Sequence, residues 1–207
     1  MSGSGLVVGT SGNVSARTPD GKALVTPSGL DYEFMEPEDV VLVDLDGRVL
    51  EGSLQPSVET PMHTGINRSR PDAHGIVHTH ARYSTSLACL GWEIAPIHYM
   101  LAVLSDKGRV PIARYATYGT EELARNAAQA LGNSHRECLL RNHGTIAVGP
   151  SVSEAYSRTA LLEEMAEVYY RTRLAGEPVL LTEQQLAEVS AKIHYYGQSK
   201  PSSAEAE

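Results

Sequence analysis

The chain has 207 residues, of which 42% are hydrophobic and 20% are charged, a composition typical of a globular protein with one sizeable core. Its formal net charge of −8 comes from 25 acidic and 17 basic residues without a lysine or arginine cluster, which argues against nucleic acid as a partner. The longest apolar stretch, residues 87–104, is interrupted by Gly91, Glu93, Pro96 and His98 and does not fit a membrane span.

Both ends of the chain are poor in apolar residues. Residues 1–5 are expected to form a flexible start and residues 199–207 a disordered tail. The N-terminus lacks the basic, apolar and small-residue order of a signal peptide, which predicts a cytoplasmic protein. Cys89 and Cys138 lie in apolar segments and are predicted to be buried thiols rather than a disulfide. No linker divides residues 1–207, so we predict a single domain.

Short apolar runs bounded by turn residues predict the strands of one mixed sheet. These runs are residues 22–26, 40–44, 75–80, 138–141 and 145–148, whereas the Gly- and Ser-rich residues 9–15 predict a loop. Apolar residues three and four positions apart predict helices over residues 120–131, 151–174 and 182–195. Two of these helices open with pairs suited to a capping box, Ser151 with Glu154 and Thr182 with Gln185. An α+β or α/β layered domain follows.

Three histidines have the pattern of metal ligands. His78 and His80 lie two positions apart at the end of a predicted strand, where alternate side chains point to the same face. His143 lies in a tight segment whose Gly144 predicts a turn that presents the imidazole outward. Each motif alone is more often structural, but together they predict a site for zinc, which prefers neutral imidazole nitrogens.

A carboxylate completes this predicted site. Glu59 precedes His63 by four positions, a spacing that places both on one helical face, and Glu59 is the better candidate for chemistry. Three histidines and a removable carboxylate describe a catalytic zinc site with one ion per chain. His63 is expected at most to support the ligands from behind. The remaining histidines show no such convergence, namely His74, His98, His135 and His194.

Several motifs resemble the class II aldolase and adducin family, most closely its bacterial L-fuculose-phosphate aldolases. The motifs are residues 9–17, 26–29, 56–59 with His63, 70–72, 78–80, 113–119 and 142–144. The resemblance implies an α/β fold of three layers, α/β/α, with a central mixed, mainly antiparallel sheet covered by helices. It also implies a homotetramer with active sites between subunits. The implied reaction is the reversible cleavage of a ketose 1-phosphate, L-fuculose 1-phosphate, to dihydroxyacetone phosphate and L-lactaldehyde.

The same resemblance assigns roles to residues. Glu59, His78, His80 and His143 would bind the metal, and Glu59 would leave it when the substrate arrives and then transfer protons. The implied phosphate pocket consists of backbone N–H groups and small polar side chains of Thr10, Ser11, Gly12, Asn13, Ser28, Gly29 and Ser57. Tyr115 corresponds to a family tyrosine that reaches the neighbouring subunit's site, and Tyr196 to a second catalytic tyrosine near the C-terminus.

Two features depart from the family pattern. Val58 stands where the fuculose enzymes usually have a second serine beside Ser57, which removes one hydroxyl from the phosphate pocket. Family members also begin with a helix before the loop at Gly9, whereas eight residues precede it here. We therefore expect apolar sheet surface to remain uncovered and the stability to be lower than that of a relative with the helix.

Alternative functions share parts of this pattern. L-ribulose-5-phosphate 4-epimerases use the same three histidines but typically carry aspartate where Glu59 stands, so Glu59 favours the aldolase. Dehydratases of methylthioribulose 1-phosphate and decarboxylases of oxo-acid phosphates share the glutamate and histidine pattern and stay open. Adducin-like scaffolding domains lack the metal ligands, so a scaffold would purify without metal, whereas an enzyme would carry about one zinc ion per chain.

Overall fold

The structure is a computed structural model that describes residues 1–193. The strands are β1 (Asn13–Arg17), β2 (Ala23–Val25), β3 (Val41–Val43), β4 (Val49–Glu51), β5 (Gly75–Thr79), β6 (Ile112–Ala113), β7 (Glu137–Leu140) and β8 (Gly144–Gly149). The helices are α1 (Thr60–Ser69), α2 (Arg82–Leu90), α3 (Leu101–Leu104), α4 (Glu121–Leu131), α5 (Val152–Ala175) and α6 (Glu183–Ile193). Short 3-10 turns cover Ser2–Ser4 and Pro37–Asp39.

All eight strands form one open sheet in the order β4-β3-β2-β1-β5-β8-β7-β6. Every neighbouring pair is antiparallel except β6 and β7, which run parallel. Helices α1 and α4 pack on one face through an apolar cluster that includes Ile66, Leu123 and Ile146. Helices α2, α3 and α5 pack on the other face through Leu87, Leu104 and related residues. The predicted three-layer α/β/α fold with a mixed, mainly antiparallel sheet is therefore confirmed.

Each predicted strand and helix agrees with the structure to within a few residues at each end, whereas β1, β4, β6, α2 and α3 were not predicted. Strand β1 begins at Asn13, inside the segment predicted to be a loop. This strand buries the polar residues Asn13 and Ser15 rather than its apolar residues, and β2 and β5 pair with it on both sides. The end of the last predicted helix, Tyr196 and the predicted disordered tail lie outside the described residues.

The two predicted capping boxes have different outcomes. Thr182 and Gln185 form both reciprocal hydrogen bonds, at 2.9 Å from the Thr182 N–H to the Gln185 Oε1 and 3.2 Å from the Gln185 N–H to the Thr182 Oγ1. Ser151 caps α5 by accepting from the Glu154 N–H at 3.2 Å. The Glu154 carboxylate instead pairs with the Arg158 guanidinium one turn later. The reciprocal hydrogen bond from the Ser151 N–H to the Glu154 carboxylate is therefore absent, because the Arg158 guanidinium binds this carboxylate instead.

The prediction of two buried thiols is wrong for Cys89. Both cysteines are free, Cys138 is buried, and Cys89 is exposed. Helix α2 buries the side chains of Ser84, Leu87 and Ala88, which share one face. Cys89 comes one position after Ala88 and therefore points about 100° away from that face.

Apolar side chains remain exposed near the edge of the sheet. Leu24 on β2 is 38% exposed, and Val49 and Leu50 on the edge strand β4 are 46% and 45% exposed. Among residues 1–193, no helix has both the length and the apolar character required to cross a bilayer.

The core also contains an unusual acidic group. Glu137 opens β7, is 1% exposed and faces the same side of the sheet as Leu139, beneath α5. Neither of its carboxylate oxygens has a hydrogen-bond partner among the described residues. Burial raises the pKa of this carboxyl well above its ordinary value of 4.5, and the charge of Arg158 opposes that shift only in part. The folded chain therefore keeps this proton to a higher pH than the unfolded chain does.

We expect Glu137→Gln to stabilise the fold by an amount that grows with pH. Above the ordinary value of 4.5, the unfolded chain loses a proton that the folded chain retains, so the free energy of unfolding falls as the pH rises. Glutamine keeps the shape and has no proton to lose. The melting temperature of the variant should exceed that of the wild type by several degrees, at about 4 °C for each kcal/mol, and this difference should grow from pH 5 through pH 6.5 to pH 8. A difference that does not change with pH would contradict the prediction. The same pH-dependent difference in the exposed control Glu188→Gln would contradict it too.

Candidate active site

Three imidazoles converge at one end of the central strands. His78 lies on β5, His80 directly follows this strand, and His143 lies in the turn between β7 and β8. Their ring centroids are 4.8 Å apart for His78 and His80, 4.8 Å for His78 and His143, and 5.1 Å for His80 and His143. The antiparallel pairing of β5 with β8 brings these distant parts of the chain together.

The orientation of His78 is fixed by the backbone of the neighbouring strand. Its Nδ1 lies 2.7 Å from the carbonyl oxygen of Thr145, which can only accept, so Nδ1–H donates. The other ring nitrogen, Nε2, points to the centre of the cluster at 3.0 Å from the Nε2 of His80. A hydrogen-bonded rear nitrogen is the usual arrangement for a metal-binding histidine.

Glu59 closes the fourth side of the cluster. It immediately precedes α1 and is 5% exposed. Its Oε2 lies 3.0 Å from the His78 Nε2, and its Oε1 lies 3.3 Å from the His143 Nε2. The expectation that Glu59 and His63 share a helical face is therefore inexact, because Glu59 is the residue before the helix and turns toward the imidazoles.

The protonation states suit a cation. Burial raises the pKa of the Glu59 carboxyl, but His78, the Asn13 amide and His143 outweigh burial and set this pKa below its ordinary value of 4.5. Burial and the charges of His78 and His143 lower the pKa of His80 to about 4. Burial and the charge of His78 likewise lower the pKa of His143 to about 4. The anionic carboxylate of Glu59 therefore faces the neutral imidazoles of His80 and His143 near neutral pH.

The donor set fits a metal ion. The four ligand atoms all lie within 4.8 Å of one another, and a tetrahedral zinc ion would hold nitrogen ligands about 3.3 Å apart. The Oε1 of Glu59 is buried without a hydrogen-bond partner among the described residues, which is costly unless a cation compensates it. This group of one glutamate and three histidines could therefore bind a metal ion.

The turn that carries His143 differs from the sequence prediction in detail. The left-handed residue is Asn142, with φ of 53°, whereas Gly144 already pairs with Leu140 in the β7–β8 ladder. Gly144 is needed for another reason. A Cβ atom at this position would lie 2.4 Å from the Thr79 carbonyl oxygen and 2.7 Å from the Cδ2 of His80. Only a glycine lets the two strands approach closely enough for the imidazoles to meet.

A cavity of about 410 Å³ opens beside this cluster. All seven residues predicted for the phosphate pocket line it, together with Glu59, His80 and His143. Val58, Pro27 and Tyr118 complete the wall, and no lysine or arginine of residues 1–193 takes part in it. Tyr115 is 57% exposed and is not part of this wall, and Tyr196 lies outside the described residues. Tyr118 was not predicted to line the site, although it lies in the same motif as Tyr115.

Backbone pairing holds the loops of this cavity together. The Ser28 N–H donates to the Gln55 carbonyl at 2.9 Å, and the Ser57 N–H donates to the Thr26 carbonyl at 3.0 Å. The Tyr32 hydroxyl donates to the Gly12 carbonyl at 2.7 Å, which ties the first loop to the second. Burial raises the pKa of Tyr32 to about 12, so the hydroxyl remains a donor. Sequence inspection gave no sign of this contact because Tyr32 lies between two motifs.

Gly12 allows the first loop to lie against the imidazole strand. Its φ is +77°, and a Cβ atom there would lie 2.6 Å from the His78 carbonyl oxygen and 2.9 Å from a Val7 methyl group. On the other side, the Glu163 carboxylate of α5 accepts from the N–H groups of Tyr83 and Ser84 at 2.7 and 2.9 Å. This contact caps α2 just after His80. The residues around His80 are therefore fixed by contacts from both directions.

Comparisons with known proteins agree with this site. The profile of the family described as Class II Aldolase and Adducin N-terminal domain matches residues 1–170. A 5-deoxy-D-ribulose 1-phosphate aldolase from Bacillus thuringiensis serovar kurstaki is 40% identical over 199 residues, which cover 96% of this chain and 92% of the relative. An L-fuculose phosphate aldolase from Escherichia coli K12 is 39% identical over 194 residues, which cover 93% of this chain and 88% of the relative.

A solved structure of an L-fuculose 1-phosphate aldolase is similar as well. It superimposes with a TM-score of 0.86 at 37% identity and covers 91% of this chain and 88% of its own. The chain belongs to the class II aldolase and adducin family, and it is a lyase of the aldolase type.

We expect Gly144→Ala to disrupt the metal site. The added methyl group would displace the Thr79 carbonyl and the His80 ring, and such overpacking costs about 1–3 kcal/mol. Affinity for a divalent metal ion should fall about tenfold or more, as measured by competition with a coloured chelator. The control is Gly176→Ala, whose Cβ atom meets open space. Equal metal affinity in both variants would show that the close approach at Gly144 is not required.

Proposed function

We propose that this enzyme is a zinc-dependent class II aldolase that reversibly cleaves a ketose 1-phosphate to dihydroxyacetone phosphate and an aldehyde. The observation that carries the proposal is the convergence of Glu59, His78, His80 and His143 on the wall of a cavity lined by small polar groups. Zinc is the ion that suits three imidazole nitrogens and one carboxylate. Bound there, it would supply Lewis-acid stabilisation of the negative charge that develops when the carbon–carbon bond breaks.

Glu59 is the group proposed to transfer protons. It is anionic near neutral pH and buried, and each carboxylate oxygen faces a different imidazole. Among residues 1–193, only its Oε2 also accepts a hydrogen bond, from the Asn13 amide at 2.9 Å. A carboxylate that is held at one oxygen and free at the other can accept a proton at Oε1 and return it.

The phosphate group is proposed to bind at the two loops opposite Glu59. The cavity wall there offers the hydroxyls of Thr10, Ser11, Ser28 and Ser57, the Asn13 amide and the glycine backbone. Backbone N–H groups and hydroxyls can bind an anion without a lysine or arginine. Val58 removes a hydroxyl from this wall and adds a side chain that is 57% exposed.

The proposal also includes two tyrosines that act in the site and a neighbouring subunit that completes it. We expect a cytoplasmic homotetramer in which Tyr115, 57% exposed in one chain, reaches the site of a neighbouring subunit. Tyr196 is proposed as a second catalytic tyrosine and lies beyond the described residues. Exposed tyrosines commonly find both an apolar contact and a hydrogen bond at subunit interfaces.

Two substrates deserve direct comparison. L-Fuculose 1-phosphate, which would give L-lactaldehyde, is supported by the fuculose enzyme at 39% identity. 5-Deoxy-D-ribulose 1-phosphate is supported by the relative at 40% identity that carries its name. The two sugar phosphates share the part that becomes dihydroxyacetone phosphate and differ in the aldehyde.

The decisive experiment is product analysis with zinc-loaded protein. We expect dihydroxyacetone phosphate from at least one of the two ketose 1-phosphates, measured by enzymatic reduction coupled to NADH and by chromatography of the aldehyde. Glu59→Ala should reduce this rate by at least about 10²-fold, because general acid–base catalysis typically contributes that much. Exposed Glu188→Ala is the matched control and should keep the full rate.

Other outcomes identify the alternatives. L-Ribulose 5-phosphate supplied in parallel should stay unchanged. Its conversion to D-xylulose 5-phosphate without release of a triose phosphate would identify an epimerase and overturn the aldolase proposal. Protein that binds no zinc and turns over none of the three sugars would identify a scaffolding domain.

The contact between Tyr32 and the first loop gives a further prediction. Tyr32→Phe removes the hydrogen bond to the Gly12 carbonyl and should loosen the proposed phosphate pocket. A neutral hydrogen bond contributes about 1 kcal/mol, so KM for the sugar phosphate should rise about fivefold while kcat changes little. Steady-state kinetics measures both constants. A fall in kcat at unchanged KM would place Tyr32 in another role.

A further inference from the structure

Behind Glu59, the buried polar side chains of Asn13, His63 and Ser15 form a column. On β1, the inward-facing residues Asn13 and Ser15 are 5% and 2% exposed. The register partners of Ser15 are the apolar Val25 and Ile76, so an apolar side chain would suit this position better for packing alone. Opposite β1, helix α1 places His63, which is 0% exposed, between the two polar side chains.

The hydrogen bonds of this column have one consistent direction. Because the Glu59 Oε2 is an acceptor, the Asn13 group 2.9 Å away must be its NH₂. The Asn13 Oδ1 then faces His63, whose Nε2 lies 2.5 Å away and must carry a hydrogen. In the neutral ring, Nδ1 is consequently unprotonated and accepts from the Ser15 hydroxyl at 2.7 Å. Each group thus fixes the orientation of the next.

We propose that Ser15 and His63 are positioning residues that act through the Asn13 amide on the metal-facing carboxylate of Glu59. A rotated Asn13 amide would present its oxygen to the carboxylate, and the His63 N–H prevents this rotation. The inference rests on the proposed function in that it takes Glu59 to be a metal ligand. It extends that function by two residues that neither line the cavity nor belong to the group of candidate metal ligands.

The test is a double-mutant cycle on zinc affinity, which needs no substrate. Zinc affinity is measured by chelator competition in the wild type, His63→Leu, Glu59→Ala and the double variant. We expect His63→Leu to weaken zinc binding about tenfold when Glu59 is present, which is the usual effect of losing a group behind a ligand. In the Glu59→Ala background, the same substitution should change affinity less than about twofold, because residues that act as one unit are not additive.

Matched variants separate positioning from packing. His63→Gln retains an N–H donor toward Asn13 and should recover most of the lost affinity. Asn67→Leu is the control, since Asn67 is also buried on α1, one turn after His63, and its side chain has no hydrogen-bond partner in residues 1–193. Its zinc affinity should match the wild type. If circular dichroism shows that His63→Leu is unfolded, Ser15→Ala replaces it in the cycle, with an expected loss of about threefold.

The outcomes distinguish this inference from the proposed function. If His63→Leu lowers zinc affinity equally with and without Glu59, the positioning role is overturned but the proposed metal site is not. Wild-type protein that binds no zinc would overturn both. Kinetics adds a second readout, because loss of positioning should lower kcat at nearly unchanged KM, and recovery of kcat in His63→Gln supports the role.

Discussion

The burial of one carboxylate among three imidazoles is the constraint on which the site depends. Glu59 and His78 are almost completely removed from solvent, and a buried charge is expensive unless it is paired. A cation at the centre satisfies the carboxylate and the inward-facing nitrogens together. Without a cation, the Oε1 of Glu59 has no hydrogen-bond partner among residues 1–193 and would remain uncompensated.

The surrounding structure holds the histidines more rigidly than it holds Glu59. The strand pair β5–β8 carries His78 and the turn of His143, and the Thr145 carbonyl fixes the His78 ring. Glu59, in contrast, lies before the first turn of α1 and is held by a side-chain hydrogen bond from Asn13. The imidazoles are thus fixed by the sheet, whereas the carboxylate can move at the cost of one or two polar contacts. That difference would suit the proposed role of Glu59, in which the carboxylate leaves the metal and transfers a proton.

Local sequence patterns predicted the parts of the site that depend on local geometry. The two-residue period of a strand was enough to pair His78 with His80, and the motif of residues 142–144 indicated a turn at His143. Patterns failed where the decisive contact is distant. Gly144 is required by atoms of residues 79 and 80, and the link from His63 to Glu59 passes through Asn13 on another strand. The burial of Cys89 was likewise misjudged because the facing direction of α2 depends on how it packs on α5.

The order of the strands also has a consequence for how the chain folds. In the sheet register, His78 pairs with Asn13 on one side and with Ile146 on the other, contacts that each join positions more than sixty residues apart. Closing such long loops is entropically costly and slow compared with forming local helices. His78 and His143 come together only when β5 and β8 are paired, so the formation of the candidate metal site is coupled to the formation of the centre of the sheet.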